Sequence, residues 1–122
     1  MPRLMITLYG INNCDTVKKA RAWLEQHRVA YRFHDLRVDG LDAARLQGWI
    51  MTLGWETLLN TRSTTWRQLP DVDKHELDAG RAAKLILSHP TLIKRPVLED
   101  GTKVTVGFNA ATYNEMSLSR AQ

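Results

Sequence analysis

The chain has 122 residues, enough for one compact domain with a hydrophobic core of its own. Its residues are 43% hydrophobic and 25% charged, as in ordinary globular proteins, so we expect a single domain over residues 1–122. Lys and Arg number 17 against 13 Asp and Glu, a formal charge of +4. This modest excess suits a small anionic partner, whereas the lack of a dense Lys/Arg run argues against DNA binding.

Cys14 is the only cysteine in the chain, which excludes an intramolecular disulfide bond. A lone cysteine is typical of a reducing compartment, so we expect a cytoplasmic protein. The opening MPRLMITLYG has neither the apolar h-region nor the cleavage site of a signal peptide. No stretch approaches the ~18 apolar residues that a bilayer-spanning helix needs, so no membrane partner is predicted.

The first part of the chain is patterned as strand, helix, strand. Residues 5–9 are β-prone, and residues 14–27 carry apolar side chains at helical spacing. Either Asn12 or Asn13 is expected to be the helix N-cap. Residues 29–36 alternate between apolar and polar side chains as a second strand. This order within about 30 residues predicts a right-handed βαβ unit.

The middle of the chain is patterned for helices. Residues 41–53 form an amphipathic pattern, and residues 77–88 form another that ends at His89-Pro90. Residues 55–73 between them are less regular and predict only short turns. The stretch from about 41 to 90 is therefore predicted to be an all-helical insertion.

Two short strands and a helix are predicted at the end of the chain. Residues 96–98 and 103–106 are β-prone and flank Asp100-Gly101, a strong hairpin pair. Residues 108–116 predict a closing helix. The order βαβ, then helices, then ββα predicts an α/β protein with a thioredoxin-like, four-stranded mixed sheet and a helical insertion.

Cys14 falls at the start of the first predicted helix. Unpaired N–H groups and the helix dipole favour a thiolate over a thiol there, which predicts that Cys14 is a catalytic nucleophile. Lys18, four residues later, adds positive charge on the same helix face, and Asn12 and Asn13 can donate hydrogen bonds to an anion. The alternative is a small buried hydrophobe, a common role for a free cysteine.

Position 17, where a C-x-x-C pair would have its second cysteine, holds Val17. A disulfide formed on Cys14 must therefore be resolved by an external thiol, with glutathione the expected co-substrate. The four histidines are not spaced as metal ligands, so no metal is predicted.

Two further stretches carry candidate binding residues. The polar cluster at residues 60–64 contains Arg62, which is either an anion-binding arginine or part of a solvated turn. Arg95 precedes Pro96, which favours extended backbone at Arg95. A trans proline at the start of an edge strand is one interpretation of Pro96, and a cis proline that opens the third strand of a thioredoxin-like sheet is the other.

Five stretches match one known family in chain order: TLYGINNCDTVKKARAWL, YRFHDLRVDGLD, LGWETLLNTRSTTWRQL, LIKRPVL and VGF. Nearly the whole chain thereby resembles the ArsC-type arsenate reductase family, which includes the Spx-like regulators, and most of all its YffB-like branch. The resemblance implies that Cys14 is the catalytic thiol and that the chemistry is coupled to glutathione. It also implies that Arg95 lies beside Cys14, before a cis-proline at Pro96.

The family's arsenate reductases hold their oxyanion with three arginines, and this chain has only part of that set. Arg95 matches one of them. Asn60 stands at the second position, with Arg62 two residues later as a substitute, and residues 107–108 contain no arginine. Gly10 stands where those reductases carry a histidine four residues before the cysteine. This pattern argues against arsenate reduction.

The favoured hypothesis is a monomeric, glutathione-dependent thiol reductase that acts on a disulfide, a mixed disulfide or an oxidised small substrate. In it Cys14 attacks the substrate, and Arg95, Pro96, Arg62 and Asn60 bind the substrate or glutathione. The alternative is a non-catalytic, Spx-like adaptor that binds RNA polymerase. A third hypothesis is a family member with an inert cysteine.

Overall fold

The computed structural model describes residues 6–101 and 103–116. Its strands are β1 Ile6–Gly10, β2 Tyr31–Asp35, β3 Val97–Glu99 and β4 Val104–Val106. Its helices are α1 Asp15–Gln26, α2 Ala43–Leu53, α3 Trp55–Leu58, α4 Thr64–Gln68, α5 Asp71–Lys74, α6 Ala79–Ser88 and α7 Ala110–Glu115, with a 3-10 turn at Pro90–Leu92.

The described residues divide into two compact units. One contains the residues up to Asp35 together with those from Arg95 onward, and the other is Leu36–Lys94. All four strands lie in the first unit with α1 and α7, and α2 to α6 lie in the second. The single domain over residues 1–122 stays a prediction.

The four strands form one mixed sheet in the order β2-β1-β3-β4. β1 and β2 are parallel, with Ile6 opposite Tyr31 at the start of the ladder. β3 is antiparallel to both of its neighbours, so that Leu98 lies opposite Leu8 of β1 and Thr105 of β4. The parallel pair joined by a helix and the antiparallel hairpin confirm the predicted thioredoxin-like fold.

The first unit is stabilised by packing of α1 on one face of the sheet. Val17, Ala20, Trp23 and Leu24 recur at helical spacing and are all buried. They join a core cluster that also contains Ile6, Leu8, Val29, Leu98 and Tyr113. Burial of these apolar side chains supplies the main favourable free energy of this unit.

The second strand is shorter than predicted. The pattern predicts a strand over residues 29–36, whereas β2 contains Tyr31–Asp35, which pair with Ile6–Gly10 of β1. Val29 also closes α1, since its N–H donates to the Leu24 carbonyl at 2.9 Å. Arg28 makes this possible by adopting a positive φ of 58°.

The hairpin between β3 and β4 forms at the predicted Asp-Gly pair. The Asp100 N–H donates to the Lys103 carbonyl at 3.0 Å, and the Asp100 carboxylate accepts from the Lys103 N–H at 2.7 Å. Gly101 has a φ of 95°, which an L side chain rarely adopts.

Side-chain caps set the helix boundaries in the second unit. Asp42 caps α2 by accepting from the Arg45 N–H at 3.0 Å. Asp78 caps α6 by accepting from the Arg81 N–H at 2.8 Å, which is why this helix begins at Ala79 rather than at the predicted residue 77. The irregular stretch predicted between them contains the short helices α3, α4 and α5.

Tyr113 of α7 is a polar member of the core in the first unit. It is 1% exposed, and its ring meets Trp23 and Phe108 edge-on at centroid distances of 5.5 and 5.0 Å. Its hydroxyl is buried and has no hydrogen-bond partner among the described residues. Burial raises the pKa of Tyr113 well above the ordinary tyrosine value.

In the part of the chain that the structure describes, no helix is both long enough and apolar enough to cross a membrane.

Candidate functional site

The loop before α1 places Cys14 at the N-terminus of the helix. Cys14 is the N-cap residue, with extended backbone (φ −123°, ψ 121°). Its carbonyl accepts the first helical hydrogen bond, from the Lys18 N–H at 3.0 Å. The predicted N-cap at Asn12 or Asn13 is therefore wrong, because helical hydrogen bonding begins only at Cys14. The thiol occupies the position that an amide was expected to hold.

Cys14 is half-buried and is not part of a disulfide. It packs against the core cluster of the first unit, and its side chain makes no capping hydrogen bond to the helix. The side chains of Asn12, Asn13 and Lys18 around it are exposed. Their contribution to a thiolate stays a prediction.

The sheet register brings the Arg95-Pro96 pair to the end of the sheet where the Cys14 loop begins. Tyr9 of β1 lies opposite Val97 of β3, and the two strands run antiparallel. Pro96 therefore directly precedes β3 at the sheet end where β1 finishes at Gly10. That Arg95 lies beside Cys14 stays a prediction.

The peptide bond between Arg95 and Pro96 is cis. Pro96 is buried, and its carbonyl accepts from the Gly107 N–H at 2.8 Å, which ties it to the residue after β4. Arg95 is partly exposed, but its Nε atom is buried from solvent. A partly buried guanidinium is suited to bind a carboxylate, because Arg can form two parallel hydrogen bonds to it.

Asn60 and Arg62 lie in the second unit, where Asn60 organises a tight turn. Its N–H donates to the Leu92 carbonyl at 2.7 Å, and its side-chain oxygen accepts from the Arg62 N–H at 3.0 Å. Ser63 donates its hydroxyl to the Asn60 carbonyl at 2.9 Å and then caps α4. The side-chain oxygen of Asn60 is thus used within the turn.

Arg62 is exposed on this turn. Its carbonyl accepts from the Arg67 guanidinium at 3.1 Å, so a second arginine side chain is held close to it. Binding of an anion by Arg62 stays a prediction.

A polar cluster that the sequence analysis did not identify lies where β1 ends. The Tyr9 hydroxyl donates to the Glu99 carboxylate at 3.2 Å, and the Tyr9 ring lies 4.8 Å from the His34 ring between centroids. Tyr9 and His34 are opposite each other in the parallel ladder. Only the strand register brings these residues together, and no local sequence pattern marks them.

Within residues 6–101 and 103–116, no group of three or more His, Cys, Asp or Glu side chains is placed to hold a metal ion.

Similarity to known proteins covers nearly the whole chain. A solved structure of the YFFB protein is 47% identical and has a TM-score of 0.89, covering 91% of this chain and 97% of that one. An uncharacterised protein of Haemophilus influenzae is 49% identical over 109 residues, which are 89% of this chain and 96% of that protein. The global transcriptional regulator Spx of Streptococcus mutans is 33% identical over 107 residues, 86% of this chain and 77% of the regulator.

The ArsC family model matches residues 9–116, a range that includes Cys14, Arg95 and Pro96. Together with the identities above, this match shows that the chain belongs to the ArsC family.

Proposed function

We propose that the chain is a thiol oxidoreductase in which Cys14 attacks a disulfide and glutathione resolves the product. The observation that carries this proposal is the half-exposed Cys14 at the N-cap of α1, near the end of β1 where Arg95 and Pro96 also lie. Membership of the ArsC family and the thioredoxin-like sheet support the same class of chemistry.

The proposed reaction uses a mixed disulfide between a substrate thiol and glutathione. The Cys14 thiolate attacks the glutathione sulfur, the S–S bond breaks, and the substrate thiolate leaves and takes a proton. Cys14 is then joined to glutathione. A second glutathione thiolate attacks this adduct, releasing oxidised glutathione and regenerating the Cys14 thiolate. One free glutathione is therefore consumed, the substrate thiol is released, and the disulfide bond passes to oxidised glutathione, which contains the glutathione of the substrate and the second glutathione.

The proposed reaction requires the thiolate form of Cys14. α1 is 12 residues long, and its first turn presents unpaired N–H groups at Cys14. Lys18 lies one turn into the helix and adds positive charge, while Asp15 in the first turn opposes it. We expect these two charges to affect the rate of attack by Cys14.

Arg95 is proposed to bind a carboxylate of glutathione, because a partly buried guanidinium pairs more strongly with an anion than an exposed one. Binding of the substrate or glutathione by Arg62 and Asn60 stays a prediction. Arsenate reduction is not part of the proposal. The region expected to supply the third oxyanion-binding arginine holds Gly107, whose N–H pairs with Pro96.

The proposal is tested by incubating the purified chain with oxidised glutathione and measuring its intact mass. We expect one glutathione adduct on Cys14, removed by excess glutathione and absent in Cys14→Ser. A glutathionylated peptide should then be reduced in an assay coupled to glutathione reductase and NADPH. A wild-type chain that forms no adduct and does not turn over the peptide would contradict the proposal.

Replacement of Lys18 tests whether its charge affects the alkylation rate of Cys14 more than the loss of another surface charge does. Lys18→Ala is expected to slow alkylation of Cys14 at pH 7 by about two- to five-fold, the usual size of a single charge effect at a helix end. Lys19→Ala is the matched control, since Lys19 is also exposed but is five residues from Cys14 and faces another direction. Equal rates in both variants would remove Lys18 from the mechanism.

The 33% identity to Spx favours a second candidate function, a non-catalytic adaptor that binds RNA polymerase. Recovery of polymerase in a pull-down, at equal yield with wild type and Cys14→Ser, would support this candidate. Failure to recover polymerase with either chain would count against it.

A further inference from the structure

The last residue of β1 and the first turn of α1 are in direct contact. A Cβ atom added at Gly10 would lie 2.7 Å from Cγ2 and 3.0 Å from Cγ1 of Val17. The shorter distance is below any that real Cβ atoms show, so the two methyl groups fill the space that a side chain at position 10 would need. Gly10 is buried, and Val17 is 1% exposed.

This contact joins the two elements on either side of the loop that contains Cys14. Only residues 11–14 connect Gly10 to the start of α1, and Cys14 is the last of them. Ile11 is 4% exposed and anchors the loop inward, whereas the two asparagines after it are exposed. The distance between the strand end and the helix start therefore restricts where Cys14 can lie.

Neither side of the contact can move easily. Gly10 is paired with Asp35 in the parallel ladder, so its backbone is held by the sheet. Val17 lies in the core cluster, and its β-branched side chain has one strongly preferred rotamer in a helix. A side chain at position 10 must therefore displace the first turn of α1, and Cys14 with it.

We propose that Gly10 and Val17 form a positioning pair. Their contact holds the N-terminus of α1 against the end of β1 and so sets the rate at which Cys14 is alkylated. The pair also fixes Cys14 relative to Pro96, which precedes β3 at the same end of the sheet. Its consequence for turnover rests on the proposed thiol chemistry, whereas its consequence for Cys14 alkylation does not.

The test compares Gly10→Ala, Val17→Ala and the double variant with wild type. The rate of Cys14 alkylation by iodoacetamide is measured from pH 5 to 10, and urea unfolding is measured separately. Gly10→Ala is expected to change the alkylation rate at pH 7 at least three-fold and to shift the pH profile. The double variant is expected to return both toward wild type, because removal of the Val17 methyl groups makes room for the new Cβ.

Gly48→Ala is the matched control, since a Cβ at Gly48 has no atom within 4 Å and should leave alkylation unchanged. A folded Gly10→Ala chain with the wild-type pH profile would overturn the inference. If Gly10→Ala does not fold, the double variant decides: a folded chain with a wild-type profile supports the pair, and a different profile overturns it.

Glutathione-coupled turnover is measured on the same variants. A displaced cysteine is expected to lower turnover by about ten-fold or more, since small misplacements of reacting groups are costly. If wild type shows no turnover, the proposed function is contradicted, but the alkylation result still tests the positioning pair. A changed turnover with unchanged alkylation in Gly10→Ala would overturn the positioning pair instead.

Discussion

Tyr113 offers a sharp test of the core, because its hydroxyl is buried without a hydrogen-bond partner among the described residues. A buried polar group left unsatisfied costs about 1–3 kcal/mol. Tyr113→Phe removes that group and keeps the ring that packs against Trp23 and Phe108. We therefore expect the variant to be more stable than wild type by about 1 kcal/mol at pH 8, the low end of this penalty.

The alkaline behaviour of the same variant follows from the raised pKa of Tyr113. In the unfolded chain a tyrosine ionises near pH 10, whereas the buried Tyr113 remains neutral to higher pH. The stability that follows from this difference in pKa is therefore fully present below about pH 10 and is lost as the pH rises above it. At pH 11 the ionised unfolded state should favour unfolding of wild type by about 1.4 kcal/mol, a loss that Tyr113→Phe lacks.

The assay is urea unfolding followed by far-UV circular dichroism at pH 8 and pH 11. The advantage of Tyr113→Phe over wild type should grow by about 1.4 kcal/mol between the two pH values. Titration of other groups cancels in this comparison, since both chains share them.

Tyr9→Phe is the matched control, because Tyr9 is also buried but its hydroxyl donates to Glu99 at 3.2 Å. This variant should lose about 1.5 kcal/mol or more, since the lost hydrogen bond involves a carboxylate. A clear loss of stability in Tyr113→Phe at pH 8 would refute the reasoning, as it would show that the Tyr113 hydroxyl is hydrogen-bonded. An equal advantage at both pH values would refute the argument from ionisation.

Three further predictions concern the second unit, and urea unfolding checks each. Asp78→Ala should lower stability by about 1 kcal/mol, because the Arg81 N–H loses its capping partner, and Asp78→Asn should retain most of it. Gly48→Ala should raise stability by about 0.5–1 kcal/mol, since Gly48 is exposed within α2 and its added Cβ meets nothing. Gly54→Ala should lower stability by about 1–3 kcal/mol, since Gly54 has φ 86° and ψ 144°, a conformation that is strained for alanine. Unchanged stability would contradict the argument that alanine is strained there.

Local patterns were sufficient to predict most elements of the fold. The helical spacing of apolar residues placed α1, α2 and α6, and the Asp100-Gly101 pair placed the hairpin. These features depend on side chains a few residues apart, which interact in the same way wherever the segment lies. The short helices α3 to α5 have too few turns to show a period, so that stretch was predicted only as turns.

Boundaries that depend on a partner were predicted less well. β2 ends at Asp35, opposite Gly10 at the end of β1. α1 begins at Asp15, because the Cys14 carbonyl accepts the first helical hydrogen bond. Asn12 and Asn13 are good N-cap residues by type, yet both lie in the preceding turn. Intrinsic preference is a weak guide where the path of the chain between two packed elements decides the cap.

By itself the sequence determined the element order, the position of Cys14 at a helix start, and Arg95 and Pro96 as candidate site residues. Only the tertiary structure decided that Gly10 meets Val17 and that Pro96 lies at the sheet end where β1 finishes. Those two facts arise from strand register and helix packing between residues far apart in the chain. Spacing along a sequence does not encode such contacts, because many registers satisfy the same local pattern and packing selects one of them.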